Sequence, residues 1–180
     1  IEQYWSFNVK ITEWVVVTGP PSSGKTTLIE ALQAKGYLIS PEVARELIVE
    51  CTQTNTFQSI DIFQRQLLAI TCRREHFLDS NQMIFFDRGI PDSIAYFKYN
   101  HLDTKDAMQA SKFRRYKQVF YCEGLPVIHD AVRKESDAAA KKIGRLILEA
   151  YQILNYHPII LPVVSVEQRL NLILNNIGVS

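Results

Sequence analysis

Gly19-Pro20-Pro21-Ser22-Ser23-Gly24-Lys25-Thr26 follows the apolar run Trp14-Val15-Val16-Val17 and Thr18, and leads into Thr27-Leu28-Ile29. The octet satisfies G-x-x-x-x-G-K-[ST], and its place between a buried strand and a helix is the context that this pattern requires. Gly19 and Gly24 let the backbone curl so that successive N–H groups point at one phosphate, beside the positive end of the helix dipole. Lys25 adds a mobile charge for the β- and γ-phosphates, and the Thr26 hydroxyl can ligate Mg²⁺. The stretch Gly19 to Thr27, with Pro20, Pro21, Ser22 and Ser23 between the glycines, is therefore expected to bind a nucleotide.

Working outward from that loop, short β-branched runs alternate with amphipathic stretches. Trp14–Thr18, Tyr37–Ser40, Gln82–Phe86, Gln118–Cys122 and His157–Leu161 read as strands. Lys25–Ala34 reads as a helix closed by Gly36, and Glu42–Cys51 as one opened by Pro41. In Ser59–Leu78 the residues Ile60, Phe63, Leu67, Ile70 and Phe77 form a helical stripe. Ile94–Tyr99, Lys105–Tyr116, Asp137–Asn155 and Val166–Asn176 complete the set, the last opened by a Ser165–Gln168 capping box. This alternation predicts an α/β fold with a mostly parallel sheet covered on both faces, and ligands at the ends of its strands.

The chain has 180 residues, 47% of them hydrophobic and 22% charged, without repeats or a Gly/Ser/Pro linker, so one domain is expected, with a core over about residues 13–176. At this size roughly 70% of the unfolded surface can be buried, so no disulfide or structural metal is needed. The net charge of +1 gives no bulk attraction to nucleic acid or a membrane surface. Cys51, Cys72 and Cys122 are odd in number and widely spaced, as expected of reduced thiols in a cytoplasmic protein. No apolar run approaches the ~20 residues of a membrane span. The opening IEQYWSFNVK, with its early Glu2 and no apolar core, is not expected to be a secretory signal.

A second set of residues surrounds the expected phosphate site. The run Met83-Ile84-Phe85-Phe86 leads into Asp87-Arg88-Gly89, which puts a carboxylate at a strand end to hold Mg²⁺ and an Arg beside it to neutralise a transferred phosphoryl group. An Arg stands where hydrolytic ATPases carry a Glu, and no NKxD sequence is present to read guanine. After the second strand, Glu42 and Arg45 are three apart at a helix start. Glu42 is placed to accept a proton from a substrate hydroxyl and Arg45 to orient the acceptor, although a first-turn Glu also complements the helix dipole and pairs with an Arg one turn on. Leu125–Glu135 reads as neither helix nor strand and is expected to be a flap, within a lid of about 124–136 that carries Arg133 and Lys134 over the triphosphate, or else a solvated connection. The basic run Lys112-Phe113-Arg114-Arg115-Tyr116-Lys117 is expected to be a solvated helix face. His76, His101, His129 and His157 have no metal-ligand spacing.

Taken together, GPPSSGKTT at 19–27, PEVARELI at 41–48, FFDRGIPDSIAY at 85–96, LPVIHDAVRKE at 125–135 and LPVVSVEQR at 161–169 resemble one group. It comprises small P-loop proteins labelled as AAA-domain ATPases and related to the nicotinamide riboside kinase domain of bacterial NAD regulators. The resemblance runs from about Val15 to Leu174, and DRGIPDSIAY is also similar to the DR segment of thymidylate kinases. It implies a three-layer P-loop NTPase fold with five parallel strands in the order 2-3-1-4-5 and a mobile lid. It further implies phosphate and Mg²⁺ binding at Gly24, Lys25 and Thr26, metal at Asp87, the phosphoryl group at Arg88, a lid contact at Arg133, and acceptor contacts at Glu42 and Arg45. The chain departs from the group in lacking a third loop Gly and in having His129-Asp130-Ala131 where a lid Asp-Gly pair is usual. The expected activity is phosphoryl transfer from Mg-ATP, with GTP also open, to a small nucleoside, nucleotide or related metabolite. A eukaryotic branch of the resemblance binds GTP and phosphoinositides. The alternatives are thus a nucleotide-dependent regulatory protein, with a protein or anionic-lipid partner, and a slow ATPase.

Overall fold

A computed structural model describes residues 9–56, 59–124 and 131–179, and for 131–136 the helical backbone alone. In chain order its elements are β1 (Lys10–Ile11), β2 (Val15–Thr18), α1 (Lys25–Ala34), β3 (Leu38–Ser40), α2 (Val43–Thr54), α3 (Ile60–Phe77) and β4 (Ile84–Asp87). There follow α4 (Ile90–Tyr99), α5 (Lys105–Ala110), β5 (Arg114–Arg115), β6 (Gln118–Cys122), α6 (Ala131–Ile153), β7 (Ile159–Leu161) and α7 (Val166–Asn176).

Five strands form one parallel sheet in the order β3-β4-β2-β6-β7, which numbered among themselves is 2-3-1-4-5, as expected. The central strand β2 is buried along its whole length, which is why it reads as a continuous apolar run rather than as an alternation. Its residues still divide by face. Val15 and Val17, with Phe85 and Phe120, pack under Leu28 and Leu32 of α1 and Ile173 of α7. Trp14 and Val16, with Phe86 and Val119, pack under Ala95 of α4 and Ile147 and Tyr151 of α6. The result is a three-layer α/β architecture with helices on both faces of the parallel sheet. Among the described residues no helix is long and apolar enough to cross a membrane, and Cys51, Cys72 and Cys122 carry free thiols.

Helices α4, α5 and α6 differ from the sequence expectation. Helix α4 begins at Ile90, not Ile94, because Pro91 is tolerated in a first turn and the Asp92 carboxylate accepts the Gly89 N–H at 3.1 Å. Helix α5 ends at Ala110, and Arg114–Arg115 form β5, a short parallel pair with β1. The basic run is thus not a helix face. Arg115 donates to the carbonyls of Leu154 and Asn155 and stacks on Tyr156, Arg114 lies over Trp14, and Lys117 pairs with Glu13. Helix α6 starts at Ala131, so residues 131–135 of the expected flap are helical rather than irregular. Leu125–Asp130 and the Arg133 and Lys134 side chains lie outside the described residues.

Candidate functional site

The phosphate loop leaves β2 through Gly19, whose φ of +143° suits glycine and whose Cβ would stand 2.4 Å from the Cys122 carbonyl oxygen. Gly24, at φ +82°, turns the chain into α1. The loop is closed around Lys25, whose Nζ donates to the Pro20 carbonyl at 2.6 Å and to Ser23 Oγ at 3.1 Å. Burial pushes the Lys25 ammonium down to about 8, helped by the Arg88 charge and opposed by Asp87 and Asp92. From α7, Arg169 fastens the same loop, donating to the backbone carbonyls of Ser23, Pro162 and Glu123. Arg169 is buried, and its only trace in the sequence is its place in the last of the resembling segments.

The end of β4 faces this loop because β4 pairs with β2, with Val17 opposite Asp87. Thr26 Oγ1 donates to Asp87 Oδ2 at 3.2 Å, while Asp87 Oδ1 is buried with no hydrogen-bond partner among the described residues. Burial, then the Glu42 charge, pushes the Asp87 carboxyl above its ordinary value, against Lys25, Arg88 and Thr26. An unpartnered carboxylate oxygen beside a threonine hydroxyl is the donor set that suits a hard cation such as Mg²⁺.

Arg88 adopts φ 71°, a left-handed conformation that a non-glycine residue holds only when its surroundings fix it. Its N–H donates to the Val17 carbonyl at 3.1 Å. Its guanidinium donates to Glu42 Oε1 at 2.9 Å, Asp92 Oδ1 at 3.0 Å and the Gly19 carbonyl at 3.1 Å, with the Tyr96 ring 5.4 Å away. Burial works against the charged guanidinium, but Tyr96, Asp92 and Glu42 outweigh it and hold Arg88 above its ordinary value. Asp92 in turn accepts from Thr18 Oγ1 and Tyr151 OH, both at 2.6 Å, and from Gly89 N–H. All four donors of this buried carboxylate come from different positions, so β2, β4, α4 and α6 meet at one group. Nothing in the spacing of the sequence marks Asp92 or Tyr151 for this role.

Glu42 and Arg45 do not share a helix face. Glu42 precedes α2 with extended dihedrals, φ −62° and ψ 116°, so the three-residue spacing does not operate. Its carboxylate turns to Arg88, while Arg45 is exposed and outside the cavity that Glu42 lines.

That cavity, of about 240 Å³, lies beyond the ends of β3 and β4 between α2, α3 and α4. Asp87 and Arg88 form its floor, and Phe63, Leu67, Phe86 and Tyr96 its apolar walls. Of the stripe expected on α3, Phe63 and Leu67 are half-buried against this cavity, whereas Ile60, Ile70 and Phe77 are exposed, and Gln64, Leu68 and Glu75 are buried. Glu75 Oε1 accepts the Tyr116 hydroxyl at 2.6 Å, and the Tyr116 oxygen in turn accepts the Ile90 N–H at 3.0 Å. Burial pushes the Glu75 carboxyl up to about 7, despite the Tyr116 hydroxyl and the Arg114 charge.

Residues 14–169 match a protein-family model described as AAA domain, and the chain belongs to that family. No curated protein matches it. Among solved structures, it is similar to the deoxyadenosine kinase of M. mycoides at 17% identity and a TM-score of 0.62, over 92% of this chain and 98% of that one. It is similar to thymidylate kinase from Ehrlichia chaffeensis at 14% identity and a TM-score of 0.65, over 93% and 98%. The NadR protein in complex with NR matches at 17% identity and a TM-score of 0.65, over 96% of this chain and 52% of NadR, so the chain spans about half of that relative. These likenesses establish the fold shared with P-loop kinases.

Proposed function

We propose that the protein is a phosphotransferase that moves the γ-phosphoryl group of Mg-ATP to a hydroxyl or phosphate of a small nucleoside, nucleotide or related metabolite. The observation that carries this reading is the position of Asp87 and Arg88. They stand at the end of β4, with the phosphate loop on one side and the floor of the cavity on the other. A donor held on the loop and an acceptor held in the cavity would meet at these two residues. On this reading the N–H groups of residues 19–27 and Lys25 bind the triphosphate. Thr26 and Asp87 hold Mg²⁺, which would draw negative charge off the phosphates. Arg88 neutralises the group in transfer, and Glu42, 2.9 Å from Arg88, takes the proton of the acceptor hydroxyl. Arg133, in the segment after β6, would complete the charge from the lid side. The kinase neighbours, which include a deoxyadenosine kinase and a protein complexed with NR, support a nucleoside-like acceptor. The reading places the chemistry in a single cytoplasmic domain.

The test is ADP formation from Mg-ATP by the purified protein across nucleosides, nucleoside monophosphates and nicotinamide riboside, with an acceptor-free control. Acceptor-dependent ADP is expected, and Lys25→Ala should lower it by about 10²-fold or more, with an unchanged circular dichroism spectrum. Phosphate release that needs no acceptor would instead identify an ATPase, and full turnover by Lys25→Ala would end the assignment.

A further inference from the structure

Three buried acids occur among the described residues, and one of them takes no part in the chemistry proposed above. Asp92 is saturated by four donors, and Asp87 sits beside Thr26. Glu75 is 1% exposed, receives a single hydrogen bond on Oε1, and leaves Oε2 without a partner while lining the cavity. Holding the Tyr116 hydroxyl needs one acceptor oxygen, which a glutamine would supply equally well. The second oxygen makes no hydrogen bond among the described residues, for although the Arg114 charge acts on this carboxyl, the Arg114 Nε is likewise buried without a partner, and an ionised carboxylate offers only acceptor sites.

The rest of the wall does not answer it. The two guanidinium groups of the lining are committed elsewhere, Arg74 to the Pro41 carbonyl and Glu46, Arg88 to Glu42, Asp92 and the Gly19 carbonyl. The Thr71 hydroxyl donates to the Leu67 carbonyl. Gln64, three turns before Glu75 on the same side of α3, also lines the cavity with Oε1 buried and unpartnered. Its amide can turn to present either oxygen or nitrogen, so it adapts to a ligand rather than choosing one. Glu75 is the group that chooses. Between the two lies an apolar wall that includes Phe63, Leu67 and Phe86, suited to the flat face of a ring.

We propose that Glu75 Oε2 sets the specificity of this cavity, which takes a ring-bearing acceptor that presents a hydrogen-bond donor, an exocyclic amine or a carboxamide, and rejects the analogue with an acceptor atom in its place. The proposal rests on reading the cavity as the acceptor site. It is strengthened by the chemistry of a buried polar group left unpaired by the wrong ligand, which discriminates far more sharply than a missing methylene. A donor from the ligand also favours the ionised form of a carboxyl that burial holds near neutrality, with Tyr116, Tyr156, Cys72 and Arg114 as its titratable and charged neighbours.

Calorimetric titration of the intact protein with three matched pairs tests this: cytidine and uridine, adenosine and inosine, nicotinamide riboside and nicotinic acid riboside. At least one amine- or amide-bearing member should bind about ten-fold or more tightly than its partner. Glu75→Gln keeps an acceptor for Tyr116 and puts an N–H₂ group in place of Oε2, so the preference should vanish or reverse. Equal binding within each pair by the wild-type protein overturns the proposal, and so does a preference that survives in Glu75→Gln. Failure of all six compounds to bind overturns the substrate class. The wild-type comparison decides even if the variant does not fold. Running the same compounds with Mg-ATP separates the two readings: discrimination without ADP formation sinks the kinase and leaves Glu75 in place, and turnover without discrimination does the opposite.

Discussion

Asp92→Asn is the sharpest test of how the site is held. The carboxylate is buried and takes two donors on each oxygen: Thr18 Oγ1 and Arg88 on Oδ1, Gly89 N–H and Tyr151 OH on Oδ2. Asparagine has the same shape but one oxygen and one N–H₂ group. The hydroxyls of Thr18 and Tyr151 can rotate to accept, whereas Arg88 and the Gly89 N–H can only donate. Whichever way the amide is turned, one obligate donor faces another. An orphaned buried donor costs roughly 1–3 kcal/mol, and loss of the charge opposite Arg88 adds to it, so about 2–4 kcal/mol in total is expected. With a urea m-value of about 2 kcal/mol/M, the unfolding midpoint should fall by roughly 1–2 M. The assay is urea unfolding followed by circular dichroism, with Asp106→Asn as an exposed control that should move by a few tenths of a kcal/mol at most. A midpoint for Asp92→Asn that falls no further than the control would refute the network as the support of Arg88.

Two other outcomes follow from the same packing. A Cβ at Gly89 would lie 2.9 Å from both Tyr116 OH and Tyr151 OH, each fixed by its own hydrogen bonds, so Gly89→Ala should cost about 1–3 kcal/mol by overpacking, and an unchanged Tm would count against this geometry. Glu75 has its folded pKa raised from 4.5 to about 7, so between those values the folded state binds the proton more tightly than the unfolded one. Stability from this group is therefore full below about pH 4.5 and declines as pH rises to about 7, with a slope of at most about 1.4 kcal/mol per pH unit. Glu75→Gln should flatten that part of the urea stability profile, and a profile identical to wild type would show that Glu75 does not titrate in this range.

The sheet and the glycine-bearing loop after β2 were legible because their physics is local. A buried parallel strand needs a continuous apolar run, and Val15–Val17 supplies it. A phosphate loop needs glycines at fixed places, and Gly19 and Gly24 have the backbone angles that demand them. Helix α5 was overextended because Lys112–Lys117 carries no strand periodicity, and β5 exists only through its pairing with β1, more than a hundred residues away. On α3 the apolar count misled, since the buried face includes Gln64 and Glu75, two polar residues that a hydrophobic stripe excludes by construction. Glu42 was expected to share a helix face with Arg45 and turns instead to Arg88, because whether a residue caps a helix or lies within it depends on a single pair of dihedrals.

That division also explains what kinship can and cannot carry at 14–17% identity. The phosphate loop and the end of β4 are fixed by backbone geometry, with Val17 opposite Asp87 in the sheet, so any sequence that builds this sheet brings these parts together. The cavity beside them is different in kind. What it could recognise depends on which side chains α3 turns inward, and a rotation of that helix by one position would carry Gln64 and Glu75 out of the wall without disturbing a single strand pairing. Donor chemistry can therefore persist across relatives whose acceptors differ. Glu75 Oε1 serves the fold by accepting the Tyr116 hydroxyl, but its buried Oε2 is left unpaired, and departures of that kind accumulate where a ligand completes the structure. The acceptor is thus better sought from the hydrogen-bond deficit on α3 than from the names of proteins with the same sheet.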